Sequence, residues 1–109
     1  MAADLTDPLE RFRRDYAPVL LRHLSRRDEA GLQDAYELGR RAMLESVGLL
    51  DLVRVHSDLY LEVLATVRDL EEVTEVSEAA TTLLIDLIAS FEVAQRGFMD
   101  VRGGHQRDG

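Results

Sequence analysis

Three histidines and a surplus of carboxylates are the groups with which this 109-residue chain could do chemistry. Metal or acid–base work would require them to converge at fixed spacings, and they do not. No Glu-x-x-His pair is present to build a di-iron site in a helical bundle. No His-x-x-x-His pair is present for zinc. Cysteine is absent, which excludes disulfides, thiolate metal sites and cysteine nucleophiles together. There is no glycine-rich phosphate loop, since Gly103 and Gly104 sit in a polar end segment. Glu71, Glu72 and Glu75 read as the solvated start of a helix sooner than as a cation site. His105 belongs to the tail, and His23 closes the first predicted helix, where an imidazolium favours the negative end of the dipole. His56 is different. It lies in LLDLVRVHSDLYLEVL (residues 49–64), in line with aliphatic side chains. There it reads as a packed, hydrogen-bonded residue or as part of a contact surface, although its titration range would also permit pH sensing. No catalytic residue, metal ligand or cofactor is expected, and the chain reads as a non-enzyme.

Bulk properties narrow the class further. A net charge of −8 argues against nucleic-acid binding, whose affinity comes largely from neutralised phosphates. No apolar run approaches the roughly 20 residues of a membrane span. The N-terminus MAADLTDPLERFRRD lacks a signal layout, so a cytoplasmic location with no membrane contact is expected. The length suits one domain. We place a helical domain at 1–102 and a disordered tail, GGHQRDG, at 103–109.

The elements that must hold these residues are all helical. Asp7-Pro8 is an N-cap followed by a residue tolerated in the first turn. Leu9, Phe12, Tyr16, Leu20 and Leu24 then recur at three- and four-residue intervals, with Pro18 predicting a kink near Tyr16 or a split into two helices. The second helix starts near Asp28 or Glu29 and turns Leu32, Ala35, Tyr36, Gly39, Ala42, Met43 and Val47 inward. Gly39 costs about 1 kcal/mol against alanine, which implies close approach of another helix. Gly48 is expected to stop the second helix in the left-handed conformation. The third helix follows at once near Leu49, predicting an antiparallel neighbour. It carries two apolar stripes, Leu49, Val53, His56, Tyr60, Val63 and Val67 beside Leu52, Val55 and Leu59. A surface helix requires one. Hence Leu52, Val55, His56, Leu59 and Tyr60 are assigned to a central core helix or a dimer face. After the acidic run DLEEVTEVSEA, Thr74 or Ser77 is expected to cap the last helix, whose face is Ala80, Leu84, Leu87, Phe91, Ala94, Phe98 and Val101. The fold class is all-α, a small antiparallel bundle of four to five helices, expected to be dimeric.

On the outer side of this bundle Gln33, Glu37, Arg40 and Arg41 accompany Ile85 and Ile88, which fall off the main stripe of the last helix. An apolar centre with a polar rim suits a partner surface. The alternatives are an i,i+4 ion pair between Glu37 and Arg41 and a wide core stripe for the isoleucines. A rival reading is a small-molecule sensor with a ligand held between helices near His56, Tyr60 and Tyr36.

The run AYELGRRAMLESVGLLDLVRVHSDLYLEVL, with LLIDLIASFEVAQRGF beyond it, resembles the RsbU-type N-terminal domain over about residues 9–101. This is the regulatory module of bacterial phosphoserine phosphatases in general stress signalling. The resemblance implies a helical bundle similar to the C-terminal domain of the circadian-clock protein KaiA, paired as a homodimer. It implies a switch kinase of the histidine-kinase-like ATPase class as partner, contacted at Gln33 and Ile85. That contact activates a metal-dependent serine phosphatase acting on an anti-anti-sigma factor. The phosphatase domain itself is missing from this sequence, so an excised or stand-alone module is expected.

Overall fold

The computed structural model describes residues 7–26 and 29–107, with side chains as far as residue 100. Four helices make up the fold: α1 (Pro8–Arg26), α2 (Glu29–Leu44), α3 (Leu49–Leu64) and α4 (Leu70–Arg107). Among the described residues there is no strand, and no helix is long and apolar enough to cross a membrane. The all-α class is as expected.

Local chemistry sets each boundary. The Leu9 amide donates to Asp7 Oδ1 at 3.1 Å, so Asp7 caps α1 as anticipated. α1 is not split. It runs through Pro18 as one helix. Pro18 and Arg14, whose carbonyl loses its helical donor, share the exposed side, where water can serve that carbonyl. At the end of α2 the Val47 amide donates to the Ala42 carbonyl (2.8 Å) and the Ser46 amide to that of Met43 (3.1 Å). This is the paired closure of a Schellman motif, and its left-handed residue is Ser46 at φ 64°. Gly48 instead takes an extended conformation, φ −69° and ψ 146°, just ahead of α3. α4 begins earlier than expected because Asp69, not Thr74 or Ser77, is its cap: the Glu72 amide donates to Asp69 Oδ1 at 2.8 Å. Thr74 turns its hydroxyl back to the Leu70 carbonyl. α4 continues to Arg107 and takes in much of the segment expected as a disordered tail. The alternative helix start at Asp28 lies outside the described residues, as do the side chains of Val101 and His105.

The helices pack in the order α1–α2–α4–α3 around the bundle, with α1 and α4 also in contact across it. α1 and α2 are antiparallel, matching Arg11 with Glu45 and His23 with Gly31. α2 and α4 run the same way, since Leu32 lies beside Ala79 and Leu44 beside Val93. The expected packing of α2 on α3 is reduced to a marginal contact, although only four residues join them: α2 takes α4 as its main neighbour, and α3 packs on α1 and α4. The core is Phe12, Tyr16 and Leu20 of α1, Ala35, Leu38 and Ala42 of α2, Leu52 and Val55 of α3, and Leu83, Leu87 and Phe91 of α4.

Gly39 is where α2 and α4 touch most closely. A Cβ there would stand 2.1 Å from Ser90 Oγ and 2.3 Å from the Leu87 carbonyl oxygen. Only a hydrogen fits. That line of small residues, Ala35, Gly39 and Ala42, orients α2 so that Leu38 is buried and Tyr36, expected to face inward, is 41% exposed. On α4 the buried face includes Val76, Ala79, Leu83 and Ser90, while Phe98 of the expected stripe is exposed.

Candidate functional site

Among the described residues, polar groups are organised in the interior around His56, in an ion-pair network between α1 and α2, and in the seam between α2 and α4.

His56 is buried on α3, and its Nδ1 lies 2.6 Å from the Tyr16 hydroxyl of α1. Burial pushes the imidazole pKa down to about 4 and the phenol pKa upward from its ordinary value. Both groups are therefore neutral near pH 7, and the imidazole tautomer sets whether the Tyr16 hydroxyl donates to Nδ1 or Nδ1–H donates to the hydroxyl oxygen. Phe12 stacks on Tyr16 at 5.3 Å between centroids, and Tyr60 stacks on His56 at 6.4 Å. The Tyr60 hydroxyl meets Ser77 Oγ of α4 at 2.6 Å. The result is a ring-and-hydroxyl ladder joining α1, α3 and α4. Buried, neutral and bonded to Tyr16, His56 ties α3 to α1. Among the described residues no group of three or more His, Asp or Glu side chains is placed to hold a metal ion.

On the opposite side of α2 the surface is polar but paired. Arg11 binds Glu45 at 2.6 Å, and Arg41 reaches both Asp15 and Glu45. Hydrogen bonds from Arg14 and then Arg41 hold the Asp15 carboxyl below its usual pKa. This network fastens α1 to the end of α2. It also places Arg41 on the α1 side with Asp15 and Glu45, in no ion pair with Glu37.

The α2–α4 seam is open. One hollow of about 650 Å³ is lined by Glu29, Leu32, Gln33, Asp34, Tyr36, Glu37 and Asp86. A second of about 390 Å³ continues it past Tyr36 and Glu37, along Arg40, Leu44, Ser90, Val93 and Ala94. Gln33, Glu37 and Arg40 thus share one continuous surface. Ile85 is 61% exposed on α4 next to Asp86, whereas Ile88 packs against the core. Leu52 and Val55 are fully buried and Leu59 packs on the core, so these three are core, with His56 and Tyr60 in the ladder beside them. His56, Tyr60 and Tyr36 are not gathered into one place: the first two sit between α1, α3 and α4, and Tyr36 stands in the seam. Tyr36, Asp86, Leu44 and Val93 were missed as surface residues. The small-residue line at Ala35, Gly39 and Ala42 was the signal that could have turned Tyr36 outward.

A model of the family described as phosphoserine phosphatase RsbU, N-terminal domain, matches residues 14–94. No curated protein and no solved structure matches the chain.

Proposed function

The chain belongs to the family of the RsbU N-terminal domain, and from that membership we propose a non-catalytic module that homodimerises and recruits a switch kinase of the histidine-kinase-like ATPase class. The matched family is the regulatory N-terminal domain of a phosphatase in stress signalling, not the catalytic phosphatase domain. Recruitment sets the activity of a serine phosphatase or another output domain, carried in cis or on another subunit. The kinase shifts that output only by its differential affinity for the two states of the module.

The observation that carries this reading is the open α2–α4 seam, where Gln33, Glu37, Arg40 and Ile85 stand exposed on two packed helices. Dimerisation is supported by apolar side chains left uncovered by the chain's own fold. Leu50 is 63% exposed and Met99 60%, with Leu49 and Phe98 also outside the core and all four away from the residues lining the α2–α4 seam.

The test is capture from host lysate followed by mass spectrometry, using wild type and a folded Ile85→Asp variant. Retrieval of a histidine-kinase-like ATPase by wild type, lost in the variant, is the expected result. Wild type that captures only itself refutes the kinase assignment. Sedimentation equilibrium showing a monomer at high micromolar concentration refutes the homodimer.

A further inference from the structure

The two hollows of the α2–α4 seam differ in character, and the difference specifies an occupant. The first is bordered by four carboxylates, Glu29, Asp34, Glu37 and Asp86, with Leu32 and Tyr36 as its apolar surface. Among the described residues none of the four is in an ion pair. Asp15, Glu45 and Asp58, facing the other helices, all have arginine partners. The positive end of the α2 dipole offsets about half a charge of those four, so the hollow stays strongly anionic. The second hollow carries a single carboxylate, Glu37 at its junction with the first, balanced by Arg40, and is otherwise formed by Leu44, Val93, Ala94, Ser90 and the ring of Tyr36. Val93 and Leu44 are 54% and 56% exposed there.

We infer that this groove docks a cationic amphipathic helix of the regulatory partner, its Arg- or Lys-rich end over Glu37 and Asp86 and its apolar end over Leu44 and Val93. The inference deepens the recruitment reading above and rests on it for the partner's role. Charge complementarity selects the occupant. A second copy of this chain, at net charge −8, is repelled from an anionic groove. An uncharged apolar segment would leave the four carboxylates desolvated without counter-charges. The length also fits. α2 spans 16 residues, roughly 24 Å, which one short amphipathic helix can follow. Tyr36, belonging to both hollows, is the aromatic anchor between the charged and apolar halves.

The experiment uses the whole chain, ¹⁵N-labelled, and synthetic helical peptides of α2's length. One peptide has an arginine-rich end and a leucine face, a second carries glutamate in place of arginine, and a third scrambles the first so that no apolar face forms. The first peptide should shift amides at Leu32, Tyr36, Glu37, Asp86 and Val93 and bind more weakly as salt rises. The other two should bind far more weakly. Glu37→Lys combined with Asp86→Lys should weaken the first peptide about tenfold or more. Glu71→Lys with Glu72→Lys, away from the groove, should leave it unchanged, and circular dichroism confirms that both variants fold. Equal binding of the glutamate peptide, or shifts scattered over the surface, overturns the proposal. So does equal loss in the Glu71/Glu72 variant. A kinase captured equally well by the Glu37/Asp86 variant keeps the recruitment reading and overturns the groove. Peptide binding at the groove without any captured kinase keeps the groove and overturns the kinase.

Discussion

One added methyl at Gly39 should loosen the whole bundle. In Gly39→Ala the new Cβ would lie 2.1 Å from Ser90 Oγ and 2.3 Å from the Leu87 oxygen. Carbon–oxygen contacts settle at ~3.3–3.6 Å, so each overlap is about 1 Å. The Ser90 side chain can rotate away, at the expense of its 2.9 Å bond to the Leu87 carbonyl. The Leu87 carbonyl cannot, being part of the α4 backbone. α2 must therefore retreat from α4 by about 1 Å, and a gap of that size forfeits roughly a quarter to a half of the dispersion well at each atom pair along the seam. Overpacking costs typically ~1–3 kcal/mol, and a displacement of a whole helix belongs at the upper end. Better helix propensity returns about 1 kcal/mol. The expected net loss is about 2 kcal/mol, seen by far-UV circular dichroism as a urea midpoint lowered by ~1 M at matched protein concentration. Gly97→Ala is the comparator: its Cβ meets no heavy atom within 4 Å, so it should gain up to about 1 kcal/mol. A Gly39→Ala midpoint that rises alongside that of Gly97→Ala would refute the close-packed seam.

Ser46→Gly should stabilise by about 0.5–1 kcal/mol in the same assay, because glycine occupies φ 64° without a Cβ clash. Asp69→Ala removes the α4 cap and should cost about 1 kcal/mol, again read as the urea midpoint. His56 takes up its proton near pH 6.5 when unfolded and only near 4 when folded. The unfolded state therefore gains the proton first as pH falls, and stability declines between those values by up to roughly 3 kcal/mol. His56→Gln keeps a hydrogen-bonding group for Tyr16 but does not titrate, so urea melts across this range should show a flatter acid limb for the variant; identical slopes would sink the assignment.

The helical class, the Asp7 cap and the close approach at Gly39 could all be read from sequence, because each depends on local backbone chemistry or on a residue whose cost requires compensation. Periodicity marked Leu52, Val55 and Leu59 as core or dimer face without choosing between them, and their burial within one chain places them in the core. Other features depend on competition that a single helix does not reveal. DLEE carries a capping signal at Asp69 with Glu72 three residues on, yet Thr74 and Ser77 are equally good cap types until Ser77 is seen bonded to Tyr60. Pro18 argues for a break only if the orphaned carbonyl is buried, and exposure of that side is a tertiary fact. The left-handed position fell to Ser46 because the bond from Val47 to Ala42 draws Val47 into the core, leaving Gly48 no role in the stop. Of the surface residues, Gln33, Glu37 and Arg40 reached the seam, but Arg41 was claimed by Asp15 and Glu45. That choice is made by α1, not by α2's own spacing.

Tyr36 has an optical consequence. The chain has three tyrosines and no tryptophan. Tyr16 is fully buried with its hydroxyl on His56, and Tyr60 is half-buried with its hydroxyl on Ser77. Tyr36, 41% exposed, is the most open of the three, and it stands between the two hollows. The component of the native tyrosine emission most open to quenchers is thus located where a bound helix would cover it. Occupancy of the groove is written into the intrinsic fluorescence of the unlabelled protein.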